Sequence, residues 1–266
     1  MDICDSACRD SKTTSEYGSR FSGEAGMNAA IVLSGGFGTR IKSDIPKQYV
    51  RAGGRMIVTS ALGSLMRSDC VDAVYIVAEL EWRESILSDV REAGLEADKI
   101  RGFAEPGRVR QESILNGMQS IVNGLRDSGM EIGDDDTVLI HDAARPMLST
   151  RMIEKCYAAL PGHDGVMPVL PMKDTVYMSD DGRSVSGLLD RSRVFAGQAP
   201  ELFYFKPYFE AVKKLMPDKI LKVNGASEPA VMGGMDIAMI PGDEGNFKIT
   251  TDADMERFRK LMEGRG

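Results

Sequence analysis

The chain has no apolar run of about eighteen residues, the length that spans a bilayer, so no transmembrane helix is expected. Its first residues lack the basic, then apolar, then small-residue order of a signal peptide. Histidine is scarce: His141 and His163 are the only two. Cysteine is limited to Cys4, Cys8, Cys70 and Cys156. Cys4 and Cys8 have no second pair nearby to complete a metal site, so the expectation is unpaired thiols and a cytoplasmic protein. Net positive charge is missing too. A formal charge of -7 excludes gripping a nucleic-acid backbone through bulk charge. A small anion remains admissible, because a local cluster of Lys and Arg binds it whatever the global charge.

What is present is an ordinary globular balance over 266 residues, 42% hydrophobic and 27% charged. Residues 1–26 are polar and glycine-containing without an apolar period, which suggests a disordered extension ahead of a single domain over 27–266. From Met27 onward, strand-like and helix-like segments alternate. Short apolar runs at 28–34, 73–78, 137–141, 165–169 and 236–240 read as strands. Helical spacing marks 56–67, 82–93, 109–125, 151–160 and 252–262, with Ser149 or Thr150 capping the fourth. The fold class is therefore α/β, with a Rossmann-like, mostly parallel sheet and helices on both faces. Ligands of such sheets sit beyond the carboxyl ends of the strands, here the loops after Ser34, Ala78, His141 and Val169. Residues 172–190 break the alternation. Asp180-Asp181-Gly182 turns between Val- and Tyr-containing flanks, so a projecting β-arm is expected, and an exposed arm of this kind calls for a partner that makes a dimer.

The segment after the first strand is Ser34-Gly35-Gly36-Phe37-Gly38-Thr39-Arg40, followed by Pro46-Lys47-Gln48-Tyr49. Glycines let backbone N–H groups close on an anion, and Arg40 and Lys47 add positive charge. A dinucleotide fingerprint fails because Ile41 stands where the third glycine belongs, which weakens an NAD-binding reading. A P-loop fails because Thr39-Arg40 follows Gly38 in place of Lys-Ser/Thr.

This loop with its Pro-Lys-Gln-Tyr continuation resembles the methylerythritol phosphate cytidylyltransferases and their relatives, the ribitol phosphate cytidylyltransferases. The resemblance extends through most of 28–262 and implies a fold of the nucleotide-diphospho-sugar transferase type. Arg40, Lys47 and Lys248 (in Asn246-Phe247-Lys248-Ile249-Thr250) are implied as catalytic cations around the triphosphate. Ser34, Gly35, Gly36, Phe37 and Gly38 are implied to bind the nucleotide. Ser113, in Arg110-Gln111-Glu112-Ser113, matches a residue that reads the pyrimidine; by itself it is also an ordinary first-turn serine. Asp142 and Arg145 of His141-Asp142-Ala143-Ala144-Arg145-Pro146 match acceptor-binding residues, and Asp142 is in addition a candidate ligand for Mg²⁺, the expected cofactor. His141 reads as a packed strand end. Thr175 and Arg191 match residues that reach across a homodimer to the acceptor's phosphate.

The implied reaction moves CMP from CTP to methylerythritol 4-phosphate. Ribitol 5-phosphate is the alternative acceptor, and a silent nucleotide-binding paralogue is the alternative of another class. Three segments depart from the family pattern: Ser34 for alanine, Ala199-Pro200-Glu201 for Thr-Pro-Gln, and Asn224-Gly225-Ala226 for a Thr-Asp-Glu/Asp segment. Neither nucleic acid nor membrane is expected as a partner.

Overall fold

The structure, a computed structural model, describes residues 26–36 and 45–264. In chain order its strands are β1 (Asn28–Leu33), β2 (Arg51–Ala52), β3 (Arg55–Met56), β4 (Ala73–Val77), β5 (Ile100–Ala104), β6 (Thr137–Asp142), β7 (Gly165–Pro171), β8 (Val176–Met178), β9 (Gly187–Leu189), β10 (Phe195–Gly197), β11 (Glu201–Tyr204) and β12 (Ile237–Pro241). The helices are α1 (Ile57–Arg67), α2 (Leu80–Glu92), α3 (Arg110–Asp127), α4 (Thr150–Ala159), α5 (Phe205–Lys213), α6 (Ser227–Met232) and α7 (Asp252–Glu263).

The central sheet runs β12-β7-β11-β6-β1-β4-β5, with β10 beside the far half of β7. β6, β1, β4 and β5 are mutually parallel, as are β7 and β12. β11 is antiparallel to both β6 and β7. The sheet is thus mostly parallel, as expected, with β11 inserted as a reversed strand. Alternate residues of β1 show why both faces are covered. Ala30 and Val32 pack into a cluster with α1, α2 and α4, whereas Ala29 and Ile31 pack into a second cluster with α3 and α5. Successive side chains of a strand point to opposite faces, so an all-apolar run requires a helix layer on each side. Gly117 lets α3 lie close: a Cβ there would stand 2.9 Å from Ile31 Cγ2. A third, smaller cluster holds α7 through Met255 and Phe258 against Ile57 and Ile249. That helix starts in a capping box between Thr251 and Asp254. Ser149 caps α4 by accepting from the Met152 N–H.

Strands β5, β10 and β11 and helices α5 and α6 were not expected from periodicity. β5 (IRGFA) carries too few apolar residues, and β10 and β11 are too short to show a period. The arm is present: β8 and β9 pair antiparallel, with Tyr177 opposite Leu188. At its tip Asp181 Oδ1 accepts from the N–H groups of Arg183 and Ser184, and Gly182 takes φ +69°. Against the expectation of unpaired thiols, Cys70 is disulfide-bonded, whereas Cys156 is a free, buried thiol with its pKa pushed up to about 12 by burial. A pairing is set by which Cβ atoms meet in space, which the spacing of four cysteines does not encode. No helix among the described residues is long and apolar enough to cross a membrane.

Candidate active site

The parallel strands end on one edge of the sheet, and their following loops enclose a cleft of about 540 Å³. β1 contributes Gly35 and Gly36, β4 Glu79, β5 the Pro106-Gly107 turn, and β6 Asp142 and Ala144; Lys47, Gln48 and Lys248 close it. The loop after Val169, also expected here, leads into the arm and does not line the cleft. The turn after β5 takes its place. Two glycines are required by close approach. A Cβ on Gly35 would overlap the Pro106 ring, and one on Gly107 would stand 2.8 Å from the Ser113 nitrogen.

The Lys47-Gln48-Tyr49 turn braces this loop. Gln48 Nε2 donates to the carbonyls of Ser34 (2.6 Å) and Gly36 (3.0 Å), and Tyr49 Oη donates to Ser34 O at 2.8 Å. These bonds occupy carbonyl oxygens that would otherwise repel an anion. Tyr49 in turn stacks on Trp82 with ring centroids 4.3 Å apart. Lys47 Nζ donates to Ile249 O at 2.7 Å, tying the turn to the segment that carries Lys248. Ser113 lines the cleft; its hydroxyl accepts from Gly107 N (2.9 Å) and donates to Val109 O (3.2 Å), holding the turn in shape.

At the β6 end the cleft rests on a charge cluster. Asp142 Oδ1 accepts from Arg110 Nη2 at 3.1 Å; Asp142 Oδ2 lies 2.9 Å from Lys248 Nζ and 3.8 Å from Arg145 Nε. Arg110 Nη2 also stands 3.7 Å from Glu201 Oε1. Burial alone would raise the Asp142 pKa, but Arg110, Lys248 and Arg145 together hold it well below the carboxylate range, so it is ionised at any physiological pH. Burial raises the pKa of Glu201. Three cations against two carboxylates leave this end positive. Arg145 sits beneath the cleft, its Nη1 donating to Asn246 O at 2.7 Å. His141 is fully buried, and burial pushes its pKa down to about 4. Its Nε2 lies 3.0 Å from the Arg145 carbonyl, an acceptor only, so Nε2 carries the proton and the neutral ring serves packing.

Of the residues singled out in the sequence, Gly35, Gly36, Lys47, Ser113, Asp142 and Lys248 are brought together in this cleft. Ser34 lies behind it at 1% exposure. Thr175 and Arg191 do not line it: both are exposed on the arm side, with Arg191 Nη1 on Lys173 O at 2.8 Å. Phe37, Gly38 and Arg40 lie outside the described residues. Sequence reasoning assigned no role to Arg110, Glu79 or Glu201. Arg110 was legible as a cation one helical turn before Ser113, and Glu201 as a lone charge beside Leu202 and Phe203.

As a divalent-metal ligand Asp142 fits poorly, since both of its oxygens face cations. Among the described residues no three of His, Cys, Asp and Glu gather to hold a metal. The donor set suits anions, and Mg²⁺ would have to be held by phosphate oxygens.

A glycine loop at the carboxyl edge of such a sheet, facing a cationic wall, defines an α/β domain of the nucleotidyltransferase type. Comparison with known proteins narrows this. Residues 28–263 match the family model described as IspD, 2-C-methyl-D-erythritol 4-phosphate cytidylyltransferase, and the chain belongs to that family. It is similar to the 2-C-methyl-D-erythritol 4-phosphate cytidylyltransferase of Lachnospira eligens, 30% identical over 242 residues that cover 90% of this chain and 100% of that one. It is also similar to the bifunctional enzyme IspD/IspF of Maricaulis maris, 31% identical over 238 residues, 88% of this chain. The match spans only 57% of that bifunctional relative's length. Among solved structures, the 4-diphosphocytidyl-2C-methyl-D-erythritol synthase of Anaerococcus prevotii shares the fold with a TM-score of 0.72 at 24% identity, covering 90% of this chain and 96% of that one.

Proposed function

We propose that this protein transfers CMP from CTP to 2-C-methyl-D-erythritol 4-phosphate and releases pyrophosphate. The observation that carries this reading is the cationic end of the cleft, where Lys47 and Lys248 line the same space as Gly35 and Gly36 of the glycine loop. CTP brings about four negative charges at neutral pH, which such a wall offsets. An oxygen of the acceptor's phosphate attacks the α-phosphorus. The new P–O bond forms as the bond to the β-phosphate oxygen breaks, and the electron pair leaves with pyrophosphate. The attacking oxygen is already anionic, so no general base is required. Lys47 and Lys248, with Arg40 by resemblance, neutralise the charge that grows on the α-phosphate oxygens. Asp142 orients Lys248 and Arg110, and the Ser113–Gly107 turn shapes the floor on which the base rests. Mg²⁺, carried by the triphosphate, supplies additional charge neutralisation when bound.

The arm completes the reading. Tyr177, Val185 and Leu188 are 61%, 67% and 65% exposed, an apolar surface suited to a second copy of the chain. In such a homodimer Thr175 and Arg191 would act on the partner's acceptor.

The test is pyrophosphate release from CTP and Mg²⁺ with 2-C-methyl-D-erythritol 4-phosphate and ribitol 5-phosphate in parallel. Release with the former alone is expected. Release with the latter alone moves the acceptor assignment, and CTP binding without release from either makes the chain a silent nucleotide-binding paralogue.

A further inference from the structure

Glu201 is a carboxylate that the proposed transfer leaves unused. It opens β11 and pairs in register with Ile140 of β6, so Glu201, Ile140 and Asp142 share one face of the sheet. Its neighbours Leu202 and Phe203 are fully buried, and Glu201 itself is 7% exposed. A charge persists in such surroundings when another charge pairs with it. Here the partner is Arg110, whose Nη2 is shared between Glu201 Oε1 (3.7 Å) and Asp142 Oδ1 (3.1 Å). Asp142 in turn divides its charge between Arg110 and Lys248 Nζ, at 2.9 Å. Arg110 and Lys248 both line the cleft, whereas Glu201 does not. Without the Glu201 charge, Arg110 would fall to Asp142 alone, and Lys248 would lose its share.

We propose that Glu201 is a positioning residue: by holding part of the Arg110 guanidinium it keeps Asp142 free to fix Lys248 at the anion-binding end of the cleft. For its kinetic readout this rests on the cytidylyl-transfer reading. The groups that face Glu201 are Arg110 from α3, Asp142 from β6, Tyr208 from α5 and Ser227 from α6; Arg145 also senses its charge. Burial raises the Glu201 pKa, and the cations lower that of Asp142. On acidification Glu201 therefore takes up a proton first, reaching the neutral state that Glu201→Gln reproduces at the same shape.

The experiment measures kcat/KM for pyrophosphate release across pH in wild type and Glu201→Gln, and follows the Arg110 Nε–H resonance by NMR in both. On the alkaline side the variant is expected to be about tenfold slower, mainly through KM for the anionic substrates. The ratio should close toward one as pH falls, because the wild type protonates into the variant's state. The Arg110 resonance should shift in the variant, and in the wild type with the same pH midpoint. A packing role predicts a ratio that is constant with pH, and that result, or an Arg110 resonance indifferent to the substitution, overturns the proposal. The wild-type titration needs no variant, so it still decides if Glu201→Gln does not fold. Should the wild type release no pyrophosphate with either acceptor, the transfer reading falls, and the Arg110 resonance alone judges Glu201.

Discussion

The floor of the cleft and the β8–β9 arm break opposite rules of burial. At the floor and directly beneath it, Arg110, Asp142, Arg145 and Glu201 are charged, yet their side chains are only 23%, 11%, 12% and 9% exposed. On the arm, Tyr177, Met178, Val185 and Leu188 are apolar, yet exposed. Neither arrangement favours stability of the lone chain. Well-packed apolar residues in place of a buried ion network are often neutral or stabilising, and an exposed apolar face gains nothing until it is covered. In the proposed function both regions serve something outside the fold: the floor an anionic substrate, the arm a second copy of the chain. A charge where the core should be and a core where charge should be are the same kind of signal.

The most damaging break in this comparison is Asp142→Ala. It leaves Arg110, Arg145 and Lys248 without their shared counter-charge, and about 3–5 kcal/mol of stability should be lost along with nearly all turnover. Denaturant unfolding and pyrophosphate release read the two effects; an unchanged unfolding midpoint would show that the cluster is not coupled through Asp142. Next in size is Lys47→Ala. Turnover should fall by about 10²–10³-fold, as when one charge-stabilising donor is removed, with the fold intact. Near-normal turnover in a folded variant would remove Lys47 from the mechanism.

A pH dependence sharpens the floor side further. His141 is held neutral, its pKa pushed down to about 4 by burial, against about 6.5 in an unfolded chain. Between these values the unfolded state binds a proton that the native state does not. Stability from this group is thus complete above pH ~6.5 and is lost as pH falls toward 4, by up to about 3 kcal/mol. Unfolding midpoints measured from pH 7 to 4 should show this decline, and His141→Gln should flatten it; an equal slope in both would assign the loss elsewhere. The smallest effect on the chain itself belongs to the arm. Leu188→Asp should change monomer stability by no more than about 0.5 kcal/mol, while the homodimer proposed through the arm should come apart in sedimentation and turnover should drop. A variant that stays dimeric would mean that another surface joins the copies.

Much of the cleft was legible because its residues sit in short contiguous segments. Gly35 and Gly36 follow a buried strand, Lys47 follows Pro46, and Asp142 ends β6, so the ends-of-strands rule places them together. Arg110 and Glu201 were not legible in the same way. Each is one charge in a segment with its own local explanation, and they meet only because α3 and β11 converge on β6. Strand β11 itself escaped notice: four residues show no period, and nothing in ELFY states that the strand runs antiparallel between β6 and β7.

By itself the sequence determined the α/β alternation, the double-faced burial of the parallel strands, the anion-binding glycine loop and the family. These follow from local order, in which residue spacing fixes which side chains share a face. Only the tertiary structure decided which turn replaces the loop after Val169 in the cleft, that Cys70 is disulfide-bonded, and that two carboxylates on neighbouring strands divide one arginine. Those facts depend on register and on helix placement across the sheet, and such long-range pairings are set by the packing of the whole core.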